Sequence, residues 1–302
     1  MSDAAYLCAH MFDICCIGHV TRDTVITPYD TRELPGGTAV YFSHALAHMG
    51  RRYNLVTALA PGDLDLLNGL RDARVNLQVL SSTHTVHFEN RYGQDPDQRT
   101  QRVLEVADAF RAEDVGGVDA RVYHLGPLLA GDIPPEVIRL LSEKGQVSLD
   151  VQGFLRRVEQ RRVVPVDWTD KLELLPYVRY LKASEEEMRV LTGENHPRRG
   201  ASVLHGWGVE EVIITMGSKG SLIYNGQSCF EVPAFVPHTD RPDATGCGDT
   251  YMAGYLLSRV QGASEAEAGA FGAAMATLKI EAGGPFTGTV QQVEALLARH
   301  AA

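Results

Sequence analysis

Short apolar, β-branched runs alternate with helix-like runs along nearly the whole chain, and this alternation limits the fold more than any other feature. The runs "FDICCIG" (12–18), "YNLVTAL" (53–59), "RVYHLG" (121–126), "QVSLDV" (146–151), "VRYLKA" (178–183) and "VEEVIITMG" (209–217) have the length and composition of buried strands. Between several of them lie helical stretches, of which "GGTAVYFSHALAHMG" (36–50) opens on a glycine pair and closes on Gly50. A strand–helix order of this kind packs as a mainly parallel central sheet with helices on both faces, a three-layer α/β/α fold. The 302 residues suffice for one large α/β domain or two smaller ones.

Two segments break the alternation. "STHTVHFENRY" (82–92) and "RTQRVLEVAD" (99–108) mix polar and apolar residues at strand spacing and flank the turn-rich "GQDPDQ", so they read as a hairpin. A polar hairpin suits a doubly covered sheet poorly. It is expected outside the core, with the strand-like "TVITPYD" (24–30), as a small β lid or an oligomer contact. The expected division is an α/β core of residues 12–22, 38–81 and 106–302, and a β lid of 23–37 and 82–105, through which a homodimer could form. The last third is helical: a helix follows the glycines at 246–248, and Ser264 with Glu267 forms a capping-box pattern opening the next.

A formal charge of −10 excludes a general nucleic-acid binder, which needs a clustered basic surface. Five cysteines in no metal or disulfide spacing fit a reducing compartment. Residues 1–11 lack the basic and long apolar regions of a secretory signal, and no segment approaches a membrane span. The expectation is a cytoplasmic protein with no membrane partner.

The stretch "DATGCGDTYMAG" (243–254) carries the chemistry. It fails the Walker template, because no lysine follows the glycines, and the dinucleotide template, because the third glycine is missing. Gly246, Cys247 and Gly248 put unpaired N–H groups at a helix N-terminus, where donors and dipole favour an anion. Asp249 follows in the first turn, placed to accept a proton from a hydroxyl while the amides neutralise a transferring phosphoryl group. Two other readings stand beside this one. Asp249 could serve only the helix dipole, with the glycines making a turn. Cys247 could be a nucleophile, since a helix N-terminus lowers a thiol pKa.

The stretch resembles the D-T-x-G-A-G-D signature of the ribokinase-like (pfkB) carbohydrate kinases, with Asp243, Ala244, Thr245, Gly246, Cys247, Gly248 and Asp249 in that order. Other segments fall in the family's order, so the resemblance covers most of the chain. "GHVTRD" resembles the first strand–turn, which implies that Asp23 contacts substrate hydroxyls. "PGGTAVYFSHALAHMG" resembles the N-terminal signature, with Gly36 and Gly37 as its glycine pair. "LKASEEEMRVLTG" resembles the N-x-x-E segment, which implies a magnesium role for Glu187 and a place beside the nucleotide for Ser184. "IITMGSKGSLIY" resembles the nucleotide strand, with Thr215, Gly217 and Gly220. "LDVQGFLR" resembles a mid-chain substrate stretch with Asp150, Gln152 and Arg156.

Each match has a plainer counterpart. Ser184 and Glu187 also make a capping box, Asp23 could be a solvated turn acid, and Gly217 and Gly220 could shape a hairpin. Three residues depart from the family pattern: Tyr41 stands where an asparagine usually binds substrate hydroxyls, Ser184 replaces the N-x-x-E asparagine, and Cys247 replaces an alanine. Tyr41 could stack on a flat ring or pack into the core.

The pattern is most similar to the myo-inositol kinase-like branch. It implies an ATP- and Mg2+-dependent kinase acting on a cyclitol or similar polyol, with Asp249 as base and residues 246–249 as anion hole. It also implies a monovalent cation (K+) near Asp243, although Ala244 replaces the motif's threonine. The alternatives are a nucleoside kinase of the same fold and a non-catalytic sugar- or nucleotide-binding module.

Overall fold

The structure, a computed structural model, describes residues 11–92, 99–240 and 242–301. The turn expected at 93–98 lies outside the described residues. A nine-stranded sheet forms the middle layer. Its strands, in chain order, are β1 (Phe12–Ile17), β4 (Tyr53–Leu59), β5 (Asn76–Ser81), β8 (Ala120–Leu125), β9 (Gln146–Asp150), β12 (Tyr180–Ser184), β13 (Glu211–Thr215), β14 (Ser221–Tyr224) and β15 (Cys229–Val232). Across the sheet the order is β15-β14-β13-β12-β9-β8-β1-β4-β5. All neighbours from β13 to β5 are parallel, while β14 and β15 add an antiparallel edge. This is the mainly parallel α/β architecture that the strand–helix alternation implies.

The period-2 geometry of β1 explains the two cores. Ile14 and Cys16 point to one face, and Cys15 and Ile17 to the other, all four buried. The first face is covered by α1 (Gly37–Ala47), α5 (Cys247–Val260), α6 (Glu265–Ala282) and α7 (Val290–Ala301). The second is covered by α2 (Pro135–Lys144), α3 (Glu185–Thr192) and α4 (Pro197–Gly206). The small residues of α5 and α6 let the two helices meet closely. A Cβ on Gly254 would lie 2.7 Å from Met275 Sδ and 3.0 Å from Gly272 Cα. The capping box at Ser264 and Glu267 is formed, with Ser264 N–H donating to Glu267 Oε2 at 2.8 Å.

A second sheet holds six strands in the order β10-β11-β7-β6-β2-β3. They are β2 (Thr21–Ile26), β3 (Thr31–Gly36), β6 (Val86–Tyr92), β7 (Arg99–Glu105), β10 (Arg156–Glu159) and β11 (Arg162–Pro165). The hairpin of β6 and β7 is antiparallel, and β2 joins it in parallel. The sheet also takes in β10 and β11, which the division of the chain into core and lid leaves in the core. These strands are only four residues long and turn through Gln160 and Arg161 at positive φ. A hairpin without glycine or asparagine in its turn carries little signal in sequence.

The strand order reverses between β1 and β8: the chain runs from β1 outward through β4 to β5 on one side, and through β8, β9, β12 and β13 on the other. In open α/β sheets ligands bind at such a switch point, outside the carboxyl ends of the strands. Here the crevice lies beneath the second sheet.

Candidate functional site

The cleft at the switch point has a volume of about 1230 Å³. The main sheet contributes Asp150, the last residue of β9, and Lys182 of β12. The helix starts contribute Gly37, Thr38 and Tyr41 from α1, and Gly246, Gly248 and Asp249 from α5. The second sheet contributes Asp23, Asn90 and Gln101, and Gln152 and Arg156 follow β9.

The glycine pair is a steric requirement. Gly36 sits against the Asp23 carboxylate, with no room for a Cβ, and Gly37 has φ +83° with a Cβ position 2.6 Å from the His19 carbonyl oxygen. The Asp23 carboxylate thereby rests on the entry to α1, where Thr21 Oγ1 donates to Asp23 Oδ1 at 2.7 Å. Gly246 caps α5 in a left-handed conformation, φ +75°, and any side chain there would run into the Tyr41 ring. Tyr41 therefore packs on the glycine loop as well as lining the cleft.

At the start of α5 the first intrahelical bond is Thr250 N–H to Gly246 O, 3.0 Å. The first-turn amides of Gly248 and Asp249 precede it and, by helix geometry, lack intrahelical acceptors. Cys247 N–H is turned back to Ala244 O at 3.2 Å, and Cys247 Sγ points to the Asp243 carbonyl at 3.7 Å, so this residue does not line the cleft. Burial pushes its thiol up to about 11, against the pull of Lys279. A thiol turned away from the cleft, with desolvation outweighing the pull of Lys279, weighs against Cys247 as an activated nucleophile.

Asp249 is partly open to the cleft yet deeply surrounded. Burial first, then the neighbouring Asp150, raise its carboxyl to about 6, while Lys182 and the Thr38 hydroxyl work the other way. Lys182 is buried with its ammonium 2.9 Å from Asp150 Oδ2 and 3.8 Å from Glu187 Oε2. Burial alone would pull its pKa down, but Asp150, Glu187 and Asp249 together hold it above its ordinary value. A Cβ on Gly248 would lie 3.3 Å from Lys182 Nζ, so the cation adjoins the glycine cradle. Asp150 also accepts from Gln152 N–H at 3.1 Å, which fixes the carboxylate from behind.

Ser184 and Glu187 form the capping box of α3: Ser184 N–H donates to Glu187 Oε2 at 2.7 Å, and Glu187 N–H to Ser184 Oγ at 3.2 Å. Thr215 pairs with Ser184 across the register of β12 and β13. Gly217 and Gly220, both at positive φ, form the turn from β13 to antiparallel β14. Ser184, Glu187, Thr215, Gly217 and Gly220 thus lie at strand ends on the β12–β13 side and outside the cleft lining, joined to it through the Lys182–Glu187 contact.

The sequence reading missed Lys182, Thr38, Asn90 and Gln101. Lys182 left a signal, a lysine inside the otherwise apolar strand run "VRYLKA", because a charge in a doubly covered strand must be paired. Asn90 and Gln101 sit opposite one another on β6 and β7, with Gln101 Nε2 donating to Asn90 Oδ1 at 3.0 Å.

A carboxylate at a glycine-opened helix terminus, set in an α/β switch-point cleft, suits phosphoryl transfer to a small molecule. The comparisons agree. Residues 121–291 match the pfkB family carbohydrate kinase pattern, and the chain belongs to that family. It is similar to the cytidine kinase of Thermococcus kodakarensis, 31% identical over 268 residues, covering 83% of this chain and 90% of that protein. The inositol 3-kinase of Oryza sativa subsp. japonica is 29% identical over 209 residues, covering 64% of this chain and 49% of that protein. Among solved structures, a pyrophosphate-dependent kinase of the ribokinase family, complexed with a pyrophosphate analog and myo-inositol, superposes with a TM-score of 0.82. It is 28% identical, covering 93% of this chain and 99% of that one. The fold is ribokinase-like and the protein is a phosphotransferase.

Proposed function

We propose that this kinase transfers a phosphoryl group to a hydroxyl of a cyclitol such as myo-inositol, with Asp249 as the base. The observation that carries this reading is the position of Asp249, beside the first-turn amides of α5 and within reach of the charge of Lys182. The carboxylate takes the proton of the attacking hydroxyl, and the amides of residues 246–249, chiefly Gly248 and Asp249, stabilise the charge on the transferring group. Asp23, Asp150, Gln152 and Arg156 orient the acceptor, with Gly36 and Gly37 giving it room and Tyr41 offering a flat face to an apolar ring side.

The donor is ATP, bound along Thr215, Gly217, Gly220 and Ser184. Asp150 ends β9, and Glu187 lies in the first turn of α3, directly after the neighbouring β12; both are carboxylates, the oxygen donors that suit a hydrated Mg2+. That ion would shield the donor's phosphate oxygens. The second sheet acts as a lid that excludes water, and its outer face serves a homodimer. The reaction takes place in the cytoplasm, with no nucleic-acid or membrane partner.

Two further readings have specific support. Similarity to a pyrophosphate-dependent kinase favours pyrophosphate as donor, and similarity to a cytidine kinase favours a nucleoside as acceptor. A matrix of ATP and pyrophosphate against cyclitols, pentoses, hexoses and nucleosides, with Mg2+, separates them. Preferred turnover of a nucleoside would overturn the cyclitol assignment, and turnover with pyrophosphate alone would replace ATP.

A further inference from the structure

The monovalent cation implied near Asp243 meets a side chain already in its place. Lys279, on α6, has no solvent exposure, and its ammonium lies 2.7 Å from the Asp243 carbonyl oxygen and 3.1 Å from Asp243 Oδ2. It also lies 5.8 Å from the centre of the Tyr41 ring, within cation–π range. These are the oxygen contacts a bound cation would seek at this loop. A second positive charge placed on the same oxygens would be repelled by the ammonium that already holds them. The residues present do not fit a potassium ion at Asp243.

We propose that Lys279 is a built-in cation: it replaces the monovalent ion behind the glycine cradle and makes the kinase independent of potassium. The geometry gives the ammonium two tasks. It fastens the segment that leads into α5, because Asp243 is held at once by Lys279, by Thr245 N–H at 3.0 Å and by Gly284 N–H at 3.2 Å. It also sets positive charge behind the loop whose amides face the cleft. Burial opposes ionisation of Asp243, but Thr245 and Lys279 outweigh it and hold the carboxyl below its usual range. Lys279 touches neither reacting atom and is a positioning residue. Its cation is covalently supplied, permanently bound and insensitive to the ionic composition of the medium.

The inference rests on the kinase reading for its consequence in turnover, but not for its binding test. Thermal unfolding and 205Tl NMR are recorded on the whole wild-type protein in thallium or potassium salts and in tetramethylammonium salts at equal ionic strength. We expect no specific stabilisation and no bound thallium signal; a saturable thallium site displaced by potassium would overturn the proposal whether or not an acceptor has been found. In turnover assays the wild type should run equally in both salts. Lys279→Met should lose about 10- to 100-fold in kcat, less than removal of a donor touching the anion itself, and regain part of it with potassium. Full activity of Lys279→Met in tetramethylammonium, or wild-type activity that collapses without potassium, would refute it. If Lys279→Met does not fold, the wild-type binding and salt measurements decide alone.

Discussion

The ammonium of Lys182 lies 2.9 Å from Asp150 Oδ2 and 3.8 Å from Glu187 Oε2, and one cation thus faces two carboxylates with Asp249 near enough to feel its charge. Burial raises the pKa of Asp249 most, Asp150 and Glu187 raise it further, and Lys182 and Thr38 lower it. The acid limb of kcat/KM should therefore fall near pH 6 in the wild type, with activity lost as Asp249 takes up its proton. Lys182→Met removes the lowering charge and should move that limb to higher pH. A pH–rate profile with an unmoved limb in this variant would show that Lys182 serves packing alone.

Asp249→Asn should lower kcat by about 10²- to 10⁴-fold, the usual contribution of a positioned base. The same variant should be more stable at neutral pH. The folded pKa of Asp249 lies above the ordinary 3.8, so the folded state keeps a proton that the unfolded state has lost between about pH 4 and pH 6. Stability therefore falls as pH rises through that window, by on the order of 2–3 kcal/mol in full. Melting curves should place Asp249→Asn above the wild type at pH 8 and converge with it at pH 4. A variant less stable than the wild type at pH 8 would contradict the burial argument.

Gly246→Ala should both destabilise the protein and impair turnover. Its φ of +75° disfavours any Cβ, and the Tyr41 ring occupies the space that the Cβ would need. The double variant Gly246→Ala/Tyr41→Ala should recover only part of the loss, since the backbone cost of about 1 kcal/mol remains. Full recovery, read from chemical denaturation, would mean that only the ring contact matters.

Cys247→Ala should turn over at close to the wild-type rate, because the thiol is protonated at neutral pH and faces away from the cleft. Iodoacetamide should label Cys247 slowly at pH 7. Rapid labelling with matching loss of activity would reinstate the thiol mechanism.

The chain makes much of this legible without coordinates. Apolar runs of strand length specify the parallel sheet, because only strands buried on both faces tolerate such continuous apolarity. The glycines at 36–37 and 246–248 mark the two helix starts that meet in the cleft, because close backbone approach leaves a residue-type signature. The capping boxes at Ser184 and Ser264 are local and are read directly.

Other features depend on long-range contact. The β10–β11 hairpin joins the second sheet through pairing with β7, some sixty residues away in the chain, and nothing in its own eight strand residues requires this. Lys182 and Lys279 are written as ordinary lysines. The fold buries both, and a buried ammonium must find carboxylates: Asp150 and Glu187 for one, Asp243 for the other. Local pattern names the anion cradle, since a helix terminus is built from neighbouring residues. Its charge balance was left to the packing, because the cations that set it arrive from different strands and helices.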